Sequence, residues 1–371
     1  MKARRPWGWP LVPVYGAALA AKDALRAAGA VPERRLRWPV ISVGSVSAGG
    51  AGKTPLTIAL ARLLAGRGWV VDVLSRGYGR AGGGIERVDP AMEEAARRFG
   101  DEPVLLAERA GVPVWVGASR FAAGRAAERR ASGDDTQVPS ETAVEAEDEE
   151  QSKPPICVHL LDDGLQHRGL ARQFDLVTVT KEDLDDTLLP AGNLREPLSA
   201  LRRADALAVR EDELEEIADR LRGLCGPDVP FWTVRRALRF PPPLGVFGAG
   251  LRPLAFCALA RPEGFAATLA QAGCGVVDTV IFPDHHRYAE RDLAVLSRVA
   301  KHLKATGLVT TEKDAVKLSP EMRARLEAEV GPLVVVRLDV SFVYESPVVR
   351  ALESRLRAAH AQGEQVEARV R

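Results

Sequence analysis

The dipeptide Lys53-Thr54, set straight after a cluster of glycines and straight before a helical pattern, constrains this chain more than any other feature. The apolar stretch Ile41-Ser42-Val43 reads as a strand end, and Gly44-Ser45-Val46-Ser47-Ala48-Gly49-Gly50-Ala51-Gly52-Lys53-Thr54-Pro55 follows it. A phosphate loop of the form G-x-x-x-x-G-K-[ST] has glycine where this chain has Ser47, and its other parts are present. Gly49, Gly50 and Gly52 allow backbone N–H groups to turn inward around phosphate oxygens, with Ser47 and Ala51 completing the loop. Lys53 supplies a point charge for the β- and γ-phosphates, and the Thr54 hydroxyl is placed to ligate Mg²⁺. Pro55 falls in the first helical turn, where its missing N–H costs little, and the helix N-terminus adds partial positive charge. The plainer alternative, a glycine turn that only caps a helix, fits the G-K-T junction poorly.

Around this loop, apolar runs of strand length alternate with helical patterns, which predicts an α/β fold with a mainly parallel sheet of P-loop NTPase type and helices on both faces. Predicted strands are 39–43, 70–74, 114–116, 156–161, 176–180 and 206–209, with helices over 55–65, 93–110 and 212–224. A second series begins near Phe231, with strands at 254–259, 276–282, 308–311 and 333–338 and helices at 263–272, 290–303 and from Pro347 onward. The run Pro241-Pro242-Pro243 with Gly245, Gly248 and Gly250 marks a hinge between the series. The expected division is a basic segment over 1–30, a P-loop domain over 31–235 and a smaller α/β domain over 236–371. Hydrophobic residues at 46% and charged residues at 27% give the balance of a soluble globular protein with a real core.

The net charge of +1 selects no class of partner, but its distribution is uneven. Residues 131–155 carry eight acids and one base (Lys153), leaving 50 bases against 42 acids elsewhere. That segment is poor in large apolar residues and is expected to be a disordered surface insertion. The four cysteines, Cys157, Cys225, Cys257 and Cys274, show no C-x-x-C spacing and read as reduced thiols. Nothing in the pattern points to nucleic acid.

Residues 1–38 hold eight bases and two acids, with Trp7, Trp9, Leu11, Tyr15 and Leu25 among them. The apolar run 11–21, broken by Pro13 and Gly16, is too short for a bilayer span of about 20 residues. A secretory signal is set aside because a nucleotide site follows at once. Basic residues with tryptophan suit a helix on an anionic membrane surface. A helix docked on the protein's own core is the other reading, and both stay open on these residues.

A second strand, Ile156-Cys157-Val158-His159-Leu160-Leu161, runs into Asp162-Asp163-Gly164-Leu165-Gln166-His167. An apolar strand ending in aspartate is the usual Mg²⁺-binding partner of a phosphate loop, so Asp162 and Asp163 are candidate metal ligands. His167 is a site residue or a capping histidine. Thr180-Lys181-Glu182-Asp183 matches the T-K-x-D form of a guanine-reading motif, but Asp162 stands two residues before Gly164 instead of three, so the companion Asp-x-x-Gly fails and the match is treated as chance.

At this point the sequence resembles the tetraacyldisaccharide 4'-kinases of lipid A biosynthesis. The blocks are 47–55 (SAGGAGKTP), 74–79 (LSRGYG), 100–103 (GDEP), 162–167 (DDGLQH), 188–197 (LLPAGNLREP), 282–288 (FPDHHRY) and 310–318 (TTEKDAVKL). Each is weak alone, and together in this order they are specific. In that family Ser or Thr is normal at the position of Ser47. The acidic insertion and the stretch 180–187 depart from the pattern.

The resemblance implies ATP and Mg²⁺ as cofactors and transfer of the γ-phosphoryl group to the 4'-hydroxyl of an acylated glucosamine disaccharide 1-phosphate, giving lipid IVA. It implies Asp101 as proton acceptor, helped by His285, with His286 the other histidine in the same block. Arg76 and Tyr78 would face the substrate, as would Arg195 and Glu196. Glu312, Lys313 and Asp314 are left outside the catalytic set as a charged helix start. A lipid acceptor implies work at the cytoplasmic face of the inner membrane and favours the membrane reading of the N-terminal segment. A kinase of a soluble metabolite and a non-enzymatic nucleotide switch are the competing readings. Ala48, where partition-type ATPases carry a signature lysine, weighs against the switch.

Overall fold

The structure, a computed structural model, describes residues 5–133, 156–240 and 252–370. The expected insertion (from residue 134) and the expected hinge at 241–250 lie outside the described residues. Among the described residues, twelve strands form one mixed, mostly parallel sheet flanked by helices. The strands are β1 (Val40–Ser45), β2 (Val70–Ser75), β3 (Glu86–Arg87), β4 (Val114–Val116), β5 (Cys157–Asp162), β6 (Phe174–Val179), β7 (Ala206–Arg210), β8 (Phe231–Arg239), β9 (Pro253–Cys257), β10 (Asp278–Ile281), β11 (Gly307–Thr311) and β12 (Leu333–Phe342). Their order is β10-β9-β11-β12-β8-β7-β6-β1-β5-β2-β4-β3. The pairs β8–β12 and β3–β4 are antiparallel and the others parallel.

Burial explains why these segments pair. Every residue of β1 and β6 is buried, as expected of central strands covered by helices on both faces. The phosphate-loop strand β1 lies between β5 and β6, in register Val43↔Asp162 and Val43↔Leu176, so the acidic strand end is brought beside the glycine loop. One face of the sheet packs Leu56, Leu60 and Leu64 of the helix Lys53–Ala65 against Ile41, Val43 and Val73. The other gathers Val177, Val179, Leu207, Ile217 and Leu221. The two series share this sheet through β8 and β12. The final helix, Glu345–Val370, sets Val348, Leu352 and Leu356 in the same core as Ile41 and Val43.

Three local features differ from the sequence expectation. The predicted helix 93–110 is two helices, Ala95–Phe99 and Asp101–Ala110, because Gly100 between them has φ +98°. That left-handed turn suits glycine, and a Cβ there would press on the Tyr78 carbonyl oxygen at 3.2 Å. The stretch 231–239 is a full strand, masked in the sequence by Arg235, Arg236 and Arg239. Residues 180–183 form a capping box: the Asp183 carboxylate accepts from the Thr180 N–H at 3.0 Å and starts the short helix Lys181–Leu184.

The helix Val12–Ala27 buries none of its residues. Trp7, Trp9, Leu11, Val14 and Leu25 are exposed, at 67%, 46%, 50%, 65% and 56%. Its inward contacts are few: the Tyr15 hydroxyl donates to the Arg195 carbonyl at 3.0 Å, and Asp23 pairs with Arg168. No helix among the described residues is long and apolar enough to cross a membrane.

Candidate active site

The loop after β1 carries Gly49, Gly50 and Gly52 at φ +67°, +70° and +83°. Only glycine adopts this succession cheaply, and it curls the backbone into a cradle that ends at the helix start. Lys53 Nζ donates to Ser45 Oγ at 3.1 Å and lies 3.5 Å from Asp163 Oδ1, which pins the lysine along the loop. Ser47 is fully buried and its Oγ has no hydrogen-bond partner, an orphaned donor inside the cradle. Such a group is costly unless a ligand completes it, and phosphate or metal-bound water is the chemistry that would. Thr54 is part-exposed at the first turn of the helix Lys53–Ala65.

The two acids of the second strand have different surroundings. Asp163 accepts both Arg195 nitrogens at 2.7 and 2.5 Å, and although burial opposes it, Lys53 and Arg195 bring its pKa down to about 2. Asp162 is 3% exposed, with the Thr57 hydroxyl 3.2 Å from Oδ1, and it makes no ion pair among the described residues. Burial, with the negative charges of Glu102 and Asp163, raises its pKa to about 7. A buried carboxylate short of positive charge, next to a phosphate cradle, fits a Mg²⁺ ion, which takes one or two carboxylates and completes its shell with phosphate and water. Among the described residues no group of three or more His, Cys, Asp and Glu side chains forms a self-sufficient metal cage.

Across the cradle, Asp101 begins its helix with 8% exposure. His285 Nδ1 lies 3.1 and 3.2 Å from its two carboxylate oxygens. Burial raises the Asp101 pKa, but the His285 hydrogen bond and the charges of Lys313 and Lys317 bring it down to about 2, and that bond in turn raises His285. His285 itself has φ +59°, and Asp284 Oδ1 accepts its N–H at 3.0 Å. Asp284 also lies beside the cradle, since its Oδ2 would be 3.7 Å from a Cβ placed on Gly49. His286 turns away, 3.0 Å from Asp292 and stacked on Phe282, so the choice between the two histidines falls to His285. Tyr78 is 67% exposed with its ring 5.4 Å from that of His285, and Arg76 is exposed on the same loop. Glu196 pairs with Arg203.

Several charged residues here stand outside the site expected from the sequence. Lys313 Nζ reaches Glu102 at 3.1 Å and Asp284 at 3.3 Å, and Lys317 is 3.8 Å from Asp101, so the block first read as a helix start supplies two cations to the pair. Asp314 is wholly buried and holds the Tyr288 hydroxyl, the Thr311 hydroxyl and the Ala258 N–H. Arg120, 7% exposed, stands in the fields of Arg76, Asp163 and Asp162. Two arginines from the second series lie over the loop: Arg236 Nη2 donates to the Ala51 carbonyl at 2.9 Å, and a Cβ on Gly50 would meet Arg261 at 2.6 Å. Arg261 is held by Asp183 at 2.8 Å and Thr180 at 3.1 Å, which gives the T-K-x-D stretch an anchoring task.

The sequence matches the family model described as tetraacyldisaccharide-1-P 4'-kinase over residues 4–357. It is 38% identical over 338 residues to a tetraacyldisaccharide 4'-kinase of Koribacter versatilis (strain Ellin345), covering 89% of this chain and 93% of that one. It is 37% identical over 370 residues to the enzyme of that name from Anaeromyxobacter sp. (strain Fw109-5), covering 92% and 89%. Among solved structures it is similar to LpxK from Aquifex aeolicus in complex with ATP. The TM-score is 0.67 at 28% identity, with 94% of this chain and 98% of that chain covered.

Proposed function

The chain belongs to the tetraacyldisaccharide 4'-kinase family, and from that premise we propose that the residues gathered around the glycine cradle move the γ-phosphoryl group of ATP onto the 4'-hydroxyl of a tetraacyldisaccharide 1-phosphate. The protein is a kinase of lipid A biosynthesis, and its product is lipid IVA. The observation that carries the site assignment is the Asp101–His285 pair, with Asp284 beside Gly49 of the cradle.

Phosphoryl transfer through a loose transition state needs positioning and charge neutralisation more than covalent help from the protein. The backbone of 47–52 and Lys53 would hold the β- and γ-phosphates, and Arg261 and Arg236 would add positive charge from the other side. Mg²⁺ would neutralise charge on those phosphates, with Thr54 and Asp162 as its protein oxygens. Asp163 is the weaker of the candidate ligands because it already neutralises Arg195 and Lys53.

At the acceptor side, Asp101 is ionised at neutral pH and can take the proton of the sugar hydroxyl as the new O–P bond forms. His285 fixes the carboxylate orientation, and Lys313 and Lys317 limit the negative charge that collects there. Arg76 and Arg120 suit phosphate oxygens, and Tyr78 offers a ring face to a sugar. Arg195 would act on the acceptor side through Asp163, and Glu196 through Arg203.

The exposed tryptophans and leucines of 7–25, next to Lys22 and Arg26, support a peripheral position on an anionic bilayer surface, which for this acceptor is the cytoplasmic face of the inner membrane. Incubation with γ-labelled ATP, Mg²⁺ and tetraacyldisaccharide 1-phosphate in mixed micelles tests the reaction. Label recovered at the 4' position is the expected result, and label absent from the lipid would refute it.

A further inference from the structure

Away from the phosphate cradle, a cavity of about 590 Å³ opens at the C-terminal end of the helix Val12–Ala27. Arg26, Arg168, Arg172 and Arg203 line it, with Glu33 and Val31 at its edge. Three of the four arginines have a carboxylate. Asp23 pairs with Arg168 and stands 3.9 Å from Arg203, Glu196 holds Arg203, and Asp175 is 3.2 Å from Arg172. Glu33 is turned to Arg35 at 3.7 Å.

Arg26 has no ion pair among the described residues, and its Nε is buried without a hydrogen-bond partner. Burial and the neighbouring Arg168 work against its charge, and Asp23 and Glu196 offset them only in part. A guanidinium held beside three others with an idle donor is stabilised by an oxyanion more than by water, and phosphate is the oxyanion that its fork geometry matches.

Arg172 connects this cavity to the active site, since its Nη1 donates to the Gly164 and Leu165 carbonyls at 3.0 and 3.3 Å in the turn that follows Asp162 and Asp163, and His167 lies in the same turn. Burial and the charges of Arg120, Arg172, Arg26 and Arg76 bring the His167 pKa down to about 4, so it stands neutral between two basic clusters. Arg120 and Arg76 belong to the edge with Asp162 and Asp163, whereas Arg172 and Arg26 line the cavity. The acceptor has the matching form, a disaccharide with the reacting hydroxyl at one end and a phosphate at the other. We propose that this cavity receives the 1-phosphate of the acceptor, with Arg26 and Arg168 as its main donors, while the far end of the disaccharide lies at Asp101. The inference rests on the kinase reading above. A phospholipid headgroup offers the same phosphate chemistry, and the foot of an exposed apolar helix is where one would also meet it, so the test separates the two sources.

The test uses the full chain without ATP and compares equilibrium binding of tetraacyldisaccharide 1-phosphate with that of the same lipid bearing a free 1-hydroxyl, in neutral detergent micelles. The wild type should prefer the phosphorylated lipid by about tenfold or more, as charge-assisted hydrogen bonds predict. Arg26→Gln and Arg168→Gln should each lose most of that preference, and Arg26→Lys should recover part of it. Equal binding of both lipids by the wild type, or a preference that survives in both Gln variants, would overturn the proposal. Phosphatidylglycerol added to the micelles should not displace the 1-phosphate lipid. Displacement that Arg26→Gln abolishes would assign the cavity to a headgroup and overturn the proposal equally. Turnover is scored separately: a chain that phosphorylates both lipids without discriminating keeps the kinase reading and loses this site. A chain that phosphorylates neither loses the kinase reading, while the binding preference still decides the cavity.

Discussion

His285 Nδ1 lies 3.1 Å from the Asp101 carboxylate although 184 positions separate the two residues. Asp101 comes from the start of a helix beside β4, and His285 from the turn after β10, so the pair joins a residue of the first strand series to one of the second. Lys313 and Lys317 stand on the same carboxylate from a third direction. The arrangement keeps Asp101 ionised, as its proposed part in taking the sugar hydroxyl proton requires.

Asp101→Asn keeps the shape and removes the base. Its kcat should fall by about 10²–10⁴-fold, with the KM for ATP changed much less. His285→Ala should lower kcat less, and the double variant should lose no more than Asp101→Asn does, because residues acting as a unit are non-additive. Steady-state kinetics on the three proteins measures this. A kcat for Asp101→Asn within twofold of wild type would remove Asp101 from the mechanism.

Lys53→Ala leaves the cradle's glycines in place and deletes the charge held between Ser45 and Asp163. Lipid phosphorylation should drop below detection, and equilibrium binding should show weaker affinity for ATP. Wild-type turnover by this variant would mean that the phosphates are held elsewhere.

The parts of this site legible in the sequence are those whose chemistry is local. A G-K-T junction and an apolar strand ending in Asp162-Asp163 can be read because backbone geometry fixes neighbours a few residues apart. Resemblance added Asp101 and His285, and the structure then separated His285 from His286. The cations were illegible for a physical reason. Arg120, Arg236, Arg261 and the couple Lys313 and Lys317 come from four separate places in the chain, and an arginine or lysine reads as a solvated surface charge until the fold buries it. The strand β8 was hidden similarly: its arginines point to the loop and to Glu211 and Asp339, which no period-two pattern reveals.

Deleting residues 1–30 removes the exposed Trp7, Trp9, Leu11, Val14 and Leu25 together with their basic neighbours. Sedimentation with phosphatidylglycerol vesicles should fall sharply, and added salt should weaken the binding of the full chain, since each basic residue near an anionic surface contributes about 1 kcal/mol at moderate ionic strength. Cosedimentation that the deletion leaves unchanged would end the assignment of this segment to the membrane.

A buried charge cluster on the neighbouring strands β5 and β2 ties the stability of the fold to pH. His159 on β5 is fully buried, with Nδ1 2.6 Å from Asp72 Oδ1 on β2 and Nε2 3.4 Å from Glu128 Oε1, and its ring stacks on Trp38 at 5.1 Å. Burial alone would discharge the imidazole, but the charge and hydrogen bond of Asp72, with Glu128 behind them, raise its pKa to about 9 from an ordinary value of 6.5. A group with a raised folded pKa contributes its full stability below the unfolded pKa and loses it as the pH climbs through the folded one. The urea midpoint should therefore hold steady near pH 6 and decline between about pH 6.5 and pH 9. Asp72→Asn removes the partner that keeps the imidazole charged, so it should cost about 3 kcal/mol at pH 6.5 and flatten the decline above it. Glu128→Gln, which leaves the 2.6 Å partner in place, should do less of both. Urea titrations of the three proteins at half-unit pH intervals decide the matter, and parallel pH profiles for wild type and Asp72→Asn would show that His159 is not the group responsible.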